Sequence, residues 1–84
     1  MLPRVFFDTN AFTGRASDPK RRLYLLWFPS SLRELAATPG GPVEGMHVVI
    51  YMTDELEMEA QLTFDADLGY WLAAGIPGTI KHYY

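Results

Sequence analysis

Residues 55–65 alternate strictly between polar and apolar side chains, and this alternation constrains the fold more than any other feature of the sequence. The apolar set on one side comprises Leu56, Met58, Ala60, Leu62 and Phe64. The polar set on the other comprises Glu55, Glu57, Glu59, Gln61, Thr63 and Asp65. Successive side chains of a strand point to opposite faces of a sheet, so this period of two predicts a half-buried β-strand. We expect its large apolar side chains in the core and its three glutamates in solvent.

The composition indicates one small folded domain. The chain has 84 residues, of which 49% are hydrophobic and 14% aromatic, and this is enough apolar material for a core. It has no cysteine, which excludes disulfides and thiolate zinc sites. No apolar run approaches the roughly 20 residues that span a bilayer. We therefore expect a cytoplasmic protein with no membrane partner.

The charge is distributed unevenly along the chain. Residues 1–42 carry six Lys and Arg against three Asp and Glu, and residues 43–84 carry one against seven, which gives the net charge of −3. The two halves can pair with each other inside one fold, or they can present two poles to partners.

The N-terminal half predicts two strands and a loop. Residues 4–8 are aromatic and β-branched, which favours a first strand. Residues 13–22 are polar and contain glycine and proline, which is typical of an exposed loop. Residues 23–28 form a short apolar run before Pro29, and such a run fits either a strand or a buried helix. Its aromatic content favours the strand.

A short helix is predicted near residues 31–38. Ser31 and Glu34 match the Ser-x-x-Glu capping box, and good helix formers follow them. The spacing of Leu32 and Leu35 predicts the buried stripe of this helix. The Pro-Gly-Gly-Pro segment at 39–42 ends the helix and forms a linker.

The C-terminal half predicts an antiparallel meander over residues 43–84. Glycine, proline and aspartate mark its turns, with Gly69 and Pro77-Gly78 at two of them. The predicted strands cover residues 46–52, 55–65, 70–76 and 79–84.

Together these elements predict a single α+β domain over residues 1–84. Its strands and short helix occupy residues 1–38, the linker 39–42, and the meander 43–84. The antiparallel sheet would have about five or six strands. The sequence leaves open whether this sheet is open or curled into a half-open SH3-like barrel, which would hide its edges.

Asp8, Thr9 and Asn10 directly follow the apolar strand 5–7. This opening resembles that of the PIN-domain nucleases, in which an aspartate at the end of the first strand helps to bind a metal. The resemblance covers about six residues and implies a parallel sheet, several helices and further acidic residues at element ends. The chain departs from that pattern, and the local alternative is that these residues form a turn and hydrogen-bond their own backbone.

The glutamates and nearby aromatic residues are the candidate binding residues. Successive glutamates on one strand lie roughly 6.8 Å apart, so they splay and do not converge on one metal ion. A row at this spacing can form a solvated face, contact a partner, or imitate nucleic-acid phosphates. The chain also has more tyrosine and tryptophan than its core readily hides, and interfaces are enriched in both. The candidates are Glu55, Glu57, Glu59, Tyr51, Tyr70, Trp71 and Tyr83.

A basic segment provides the alternative. Basic side chains next to aromatic residues suit single-stranded nucleic acid, although the sequence pI of about 5.1 argues against that partner. The residues concerned are Arg15, Lys20, Arg21 and Arg22.

The sequence predicts no catalytic residues, no metal site and no cofactor, because it contains no nucleophile elbow, phosphate loop or ligand-spacing motif. We expect a non-catalytic binding or regulatory module that engages a protein partner through an acidic, aromatic-flanked sheet face. The alternative is a nucleic-acid-linked protein, either a binder through the basic segment or an acidic mimic that inhibits a DNA- or RNA-handling enzyme. Exposed aromatics or a sheet edge would also allow a homo-oligomer.

Overall fold

The computed structural model describes residues 2–13 and 23–83. The basic segment proposed for nucleic acid lies outside the described residues. The described elements are β1 (Arg4–Phe6), β2 (Phe12–Thr13), β3 (Leu23–Leu25), α1 (Pro29–Ala36), β4 (His47–Met52), β5 (Leu56–Asp65), β6 (Tyr70–Gly75) and β7 (Lys81–His82).

The described strands form one mixed sheet in the order β1-β4-β5-β6-β3-β2, with β7 pairing with β5 beside β6. The predicted α+β class is confirmed, as is the strand within residues 23–28. Of the predicted meander, β4, β5 and β6 pair in chain order, whereas β7 pairs with β5 and not with β6. Two further details differ from the prediction. The pair β1–β4 is parallel, and β2 is an additional strand that the sequence did not indicate.

The sheet is strongly curved but is not closed into a barrel. A flat sheet of six strands would place β1 and β2 about 24 Å apart, whereas the six residue steps from Phe6 to Phe12 reach at most about 22 Å when fully extended. This connection is shorter still, because the Ala11 amide bonds to the Asp8 carbonyl at 3.0 Å. The ring centroid of Phe7 lies 5.0 Å from that of Tyr24 in β3. The two ends of the sheet therefore approach each other, although β1 and β2 do not pair.

The core fills the inner, concave face of this sheet. It receives alternate residues of β4 and β5, together with Leu35 of α1 and Leu26 after β3. The alternation in β5 predicted this face correctly for Leu56 and Leu62, which are both buried. Phe64 corrects the prediction, because 46% of it is exposed. The reason is that β4 begins at His47, opposite Gln61. The last residues of β5 therefore have no paired strand on that side.

The N-cap of the helix lies three residues before Ser31, the N-cap that the capping box predicts. Pro29 occupies the first turn, where its fixed φ suits a helix, and Phe28 is the N-cap without a side-chain hydrogen bond. In this register Ser31 and Leu35 face inward and are buried. Leu32 is exposed, although it was predicted to be buried.

The side chains of Ser31 and Glu34 instead hydrogen-bond to the backbone at the outer edge of β1. The Ser31 hydroxyl donates to the Phe6 carbonyl at 2.5 Å, and the Phe6 amide donates to Glu34 Oε1 at 2.9 Å. Residues on either side of Phe6 bond to β4, so the amide and carbonyl of Phe6 point away from the sheet. The helix therefore supplies the partners that an additional strand would otherwise provide.

Candidate functional site

The glutamates lie on the outer face of β5, but they do not form a uniform row. Glu57 and Glu59 are half-buried within the strand, whereas Glu55 is exposed in the turn that precedes it. The strand register places Glu57 opposite Tyr51 on one side and opposite Lys81 on the other. We call the outer surface around Glu57 and Glu59 the glutamate face.

Arg4 contacts both Glu57 and Tyr51 at one side of the glutamate face. Its guanidinium lies 3.4 Å from Glu57 Oε1 and 4.9 Å from the centroid of the Tyr51 ring. The Tyr51 hydroxyl donates to Glu34 Oε2 at 2.6 Å. This bond to a carboxylate stabilises the neutral phenol and raises the pKa of Tyr51 above its usual value. Both oxygens of Glu34 are thus occupied, one by Tyr51 and one by Phe6.

Shallow grooves surround Arg4. One of about 240 Å³ also contacts Tyr51 and Tyr83, and another of about 410 Å³ contacts Glu57, Glu59 and Lys81. Arg4 and Lys81 lie next to Glu57, so at this surface basic residues of both halves of the chain are mixed with the glutamates. Within the described residues, no three His, Cys, Asp or Glu side chains form a group that could hold a metal ion.

The predicted binding residues are divided between two places. Tyr51 and Tyr83 lie near the glutamate face, in the groove that Arg4 lines. Tyr70 and Trp71 begin β6 and pair with the far end of β5. The seven residue steps from Glu57 to Phe64 span about 23 Å of strand. Tyr70 and Trp71 therefore do not form one continuous surface with the glutamates.

The second place is the tip of the β5–β6 hairpin. The turn at residues 66–69 is held by Asp65, whose Oδ1 accepts the amides of Asp67 at 2.9 Å and Leu68 at 3.0 Å. Gly69 closes the turn with φ +77°, a value that glycine adopts without strain. The turn is therefore fixed by local chemistry, although it carries the apolar Leu68.

Large apolar side chains gather around this tip, and we call them the aromatic hairpin end. Phe64 and Trp71 meet on the inner face with ring centroids 5.3 Å apart. Trp27 and Tyr70 meet on the outer side at 6.2 Å. Both contacts are edge-to-face, the geometry that aromatic pairs prefer. The members are Trp27, Phe64, Leu68, Tyr70 and Trp71.

Four of these five side chains are exposed, and Trp71 is half-buried. Trp27 is 47% exposed, Leu68 47% and Tyr70 36%, in addition to Phe64. The tip extends beyond the ladders of the neighbouring strands, because β4 ends opposite Gln61 and β3 ends opposite Leu72.

Glu44 hydrogen-bonds to the aromatic hairpin end, in the part of β5 that does not pair with β4. Its Oε1 accepts the Phe64 amide at 3.0 Å. This bond, together with one from the Thr63 side chain, lowers the pKa of Glu44 below its usual value. The Glu44 carboxylate therefore accepts a β5 amide that a longer β4 would otherwise bond. Its lowered pKa keeps it ionised at neutral pH.

Sequence reasoning identified Tyr70 and Trp71 but missed the other members of this surface. Trp27 was only part of the apolar run 23–28 that predicted a strand, and Phe64 was assigned to the core because it continues the alternation. Leu68 carried the clearest signal, since an apolar residue between Asp67 and Gly69 in a turn has no core to enter.

The local alternative to a nuclease motif is confirmed at residues 8–10. Asp8 Oδ1 accepts the Asn10 amide at 2.8 Å, which is a local turn bond. The sheet is also largely antiparallel with one described helix, unlike the architecture that the resemblance implied.

The described helix is too short to cross a membrane. Comparison of the chain with protein-family models, with curated proteins and with solved structures found no match to any of them.

Proposed function

We propose that the protein is a small non-catalytic binding module that engages a protein partner through the aromatic hairpin end. The observation that supports this proposal is the concentration of exposed Trp27, Phe64, Leu68 and Tyr70 around one protruding tip. Exposed apolar surface is typical of interaction sites when several large side chains are gathered in one place, and interface cores are enriched in aromatic residues.

The tip is suited to binding because its shape is already fixed. The turn carries three hydrogen bonds to Asp65, two to the side chain and one from the Gly69 amide to the carbonyl. Tyrosine and tryptophan also lose little side-chain freedom on binding. A preformed surface of this kind keeps the entropic cost of association low.

The glutamate face has a secondary role in this proposal. Glu57 lies about 23 Å from Phe64 along the strand, so the glutamates lie outside the apolar contact at the tip. Charges at such a distance from the apolar contact act mainly on the rate of encounter.

Site-specific photo-crosslinking tests the proposal. The photo-reactive amino acid p-benzoylphenylalanine replaces Leu68 in one variant and Ile80 in a matched control. Ile80 has the same exposure, 48% against 47%, but lies beyond β6 just before β7. In an extract of the source cells, we expect discrete protein adducts from position 68 and none of the same adducts from position 80.

Competition makes the test specific. An excess of unmodified protein should suppress the adducts from position 68, and an excess of the Leu68→Ser variant should not. Identical adducts from positions 68 and 80, or equal competition by Leu68→Ser, would refute a binding role for the tip.

A further inference from the structure

We infer that the partner receives the aromatic hairpin end in a cleft that is apolar inside and cationic at its rim. This inference rests on the proposed function and adds the chemistry of the partner.

The apolar lining follows from the two-sided geometry of the tip. Phe64 packs with Trp71 on the inner face of the hairpin, and Tyr70 packs with Trp27 on the outer side. Leu68 lies in the turn between β5 and β6 and is 47% exposed. A flat partner surface could cover only one of these sides. A cleft covers both and removes the most apolar area from water.

The cationic rim follows from the charges beside the tip. Glu44, Asp65 and Asp67 flank the exposed aromatics. The three Lys and Arg residues of the described ranges lie elsewhere: Arg4 is paired with Glu57, Lys81 lies opposite Glu57, and Arg33 donates to Ser30 within α1. Among the described residues, no Lys or Arg forms an ion pair with any of these three carboxylates.

Two of the three carboxylates are held in fixed positions. Glu44 accepts the Phe64 amide, and Asp65 accepts the Asp67 and Leu68 amides. A carboxylate has about four acceptor positions, so each retains capacity for a partner's lysine or arginine. Fixed carboxylates beside an apolar tip favour cations placed around an apolar cleft.

A second copy of the chain fits this surface poorly. A two-fold contact would bring the same patch of both copies together. It would place the carboxylates of Glu44, Asp65 and Asp67 near their own counterparts, and like charges oppose such an interface. We therefore assign the tip to a different protein.

The intrinsic fluorescence of the protein provides a direct assay. The chain has two tryptophans, Trp27 and Trp71, and both belong to the aromatic hairpin end. The probe is a short amphipathic peptide made only of leucine and lysine, which supplies the chemistry of the cleft. One control peptide replaces lysine by glutamate, and the other replaces leucine by serine.

We expect the leucine–lysine peptide to shift the tryptophan emission to shorter wavelength in a saturable way that weakens as salt is added. The two control peptides should leave the emission unchanged. Equal binding of the leucine–glutamate peptide would overturn the cationic rim, and equal binding of the serine–lysine peptide would overturn the apolar lining.

Matched variants locate the effect at the tip. Asp67→Asn and Glu55→Gln each neutralise one exposed acid in a turn, at opposite ends of β5. Asp67→Asn should weaken binding of the leucine–lysine peptide about two- to five-fold, the range for one exposed ion pair. Glu55→Gln should leave it unchanged. Equal effects of the two variants would show a general response to net charge and overturn the inference.

The outcomes separate this inference from the proposed function. Specific adducts at position 68 without peptide binding would refute the cationic, apolar cleft and leave the binding module intact. The absence of specific adducts would refute the proposed function itself. Concentration-dependent dimers in sedimentation experiments that Leu68→Ser abolishes would identify a second copy as the occupant and overturn the inference.

Discussion

Replacing Glu34 by alanine should destabilise the protein more than any other single substitution of a charged residue described above. The Glu34 carboxylate accepts the Phe6 amide at 2.9 Å and the Tyr51 hydroxyl at 2.6 Å. Glu34 thereby connects α1 to both β1 and β4. The substitution leaves both donors without this acceptor in a partly buried location.

The magnitude follows from these two bonds. A hydrogen bond to a charged group contributes about 1.5–3 kcal/mol. Because both contacts of Glu34 are only partly buried, we take the lower end for each and expect a loss of about 3 kcal/mol. For a domain of 60–100 residues, 1 kcal/mol shifts Tm by about 4–8 °C. Glu34→Ala should therefore lower Tm by about 12–24 °C.

Urea unfolding followed by tryptophan fluorescence measures the loss. Arg33→Ala is the control on the same helix, since Arg33 is exposed, and it should stay within about 0.5 kcal/mol of wild type. If Glu34→Ala does not fold, Tyr51→Phe removes one of the two bonds and should cost about 1.5 kcal/mol.

A double-mutant cycle isolates the bond between Glu34 and Tyr51. In that cycle, Glu34→Gln with Tyr51→Phe should show a coupling of 0.5 kcal/mol or more, within the range of about 0.5–3 kcal/mol for contacting residues. A Glu34→Ala variant within about 0.5 kcal/mol of wild type would refute the reasoning, because water would then replace both bonds without cost.

Further predictions concern pH, packing and surface charge. The raised pKa of Tyr51 gives stability that is present below its ordinary value of 10.0 and lost as the pH rises through the higher folded value, so Tyr51→Phe should flatten the alkaline loss seen in pH-dependent melts. The lowered pKa of Glu44 gives stability that is present above its ordinary value of 4.5 and lost as the pH falls through the lower folded value, so Glu44→Gln should flatten the acid side. In Gly75→Ala the new methyl group would lie 2.9 Å from Met58 Sδ, and urea unfolding should show a loss of about 1 kcal/mol, because the flexible methionine end can move. Glu57→Gln breaks only the exposed pair with Arg4, and thermal melts should place it within about 0.5 kcal/mol of wild type.

The strands of the C-terminal half could be predicted because their signals are local. The alternation of β5 defines which side is buried, and Gly69 and Gly78 mark turns at which φ is positive. These signals need no knowledge of the neighbouring strands. They stop being sufficient at the end of β5, where the burial of Phe64 depends on the length of β4.

The prediction of the helix start was wrong because the residues of a local motif form tertiary contacts instead. Ser31 and Glu34 have the spacing of a capping box, but the same spacing places both side chains on one face of the helix. That face meets the edge of β1, so their hydrogen bonds go to Phe6 and not to the helix's own amides. Only the position of β1 beside the helix distinguishes these two uses.

The candidate site shows the same limit. Tyr70 and Trp71 were identified by residue type, which is a property of the sequence. The 23 Å of strand that separates them from Glu57 depends on which end of β5 each neighbour reaches. Composition therefore indicated that binding residues exist, while the pairing of the strands determined which of them lie together.

The parallel pairing of β1 with β4 also affects how the chain folds. Val5 pairs with Ile50, 45 positions later, whereas Asp65 and Tyr70 in the β5–β6 hairpin are 5 positions apart. Closing a longer loop costs more chain entropy, and distant pairings form slowly. The hairpin should therefore form early, and the N-terminal strand should dock only after both β4 and α1 are in place. During synthesis, β1 leaves the ribosome before α1 and β4, yet it acquires its native neighbours only after both of them are in place.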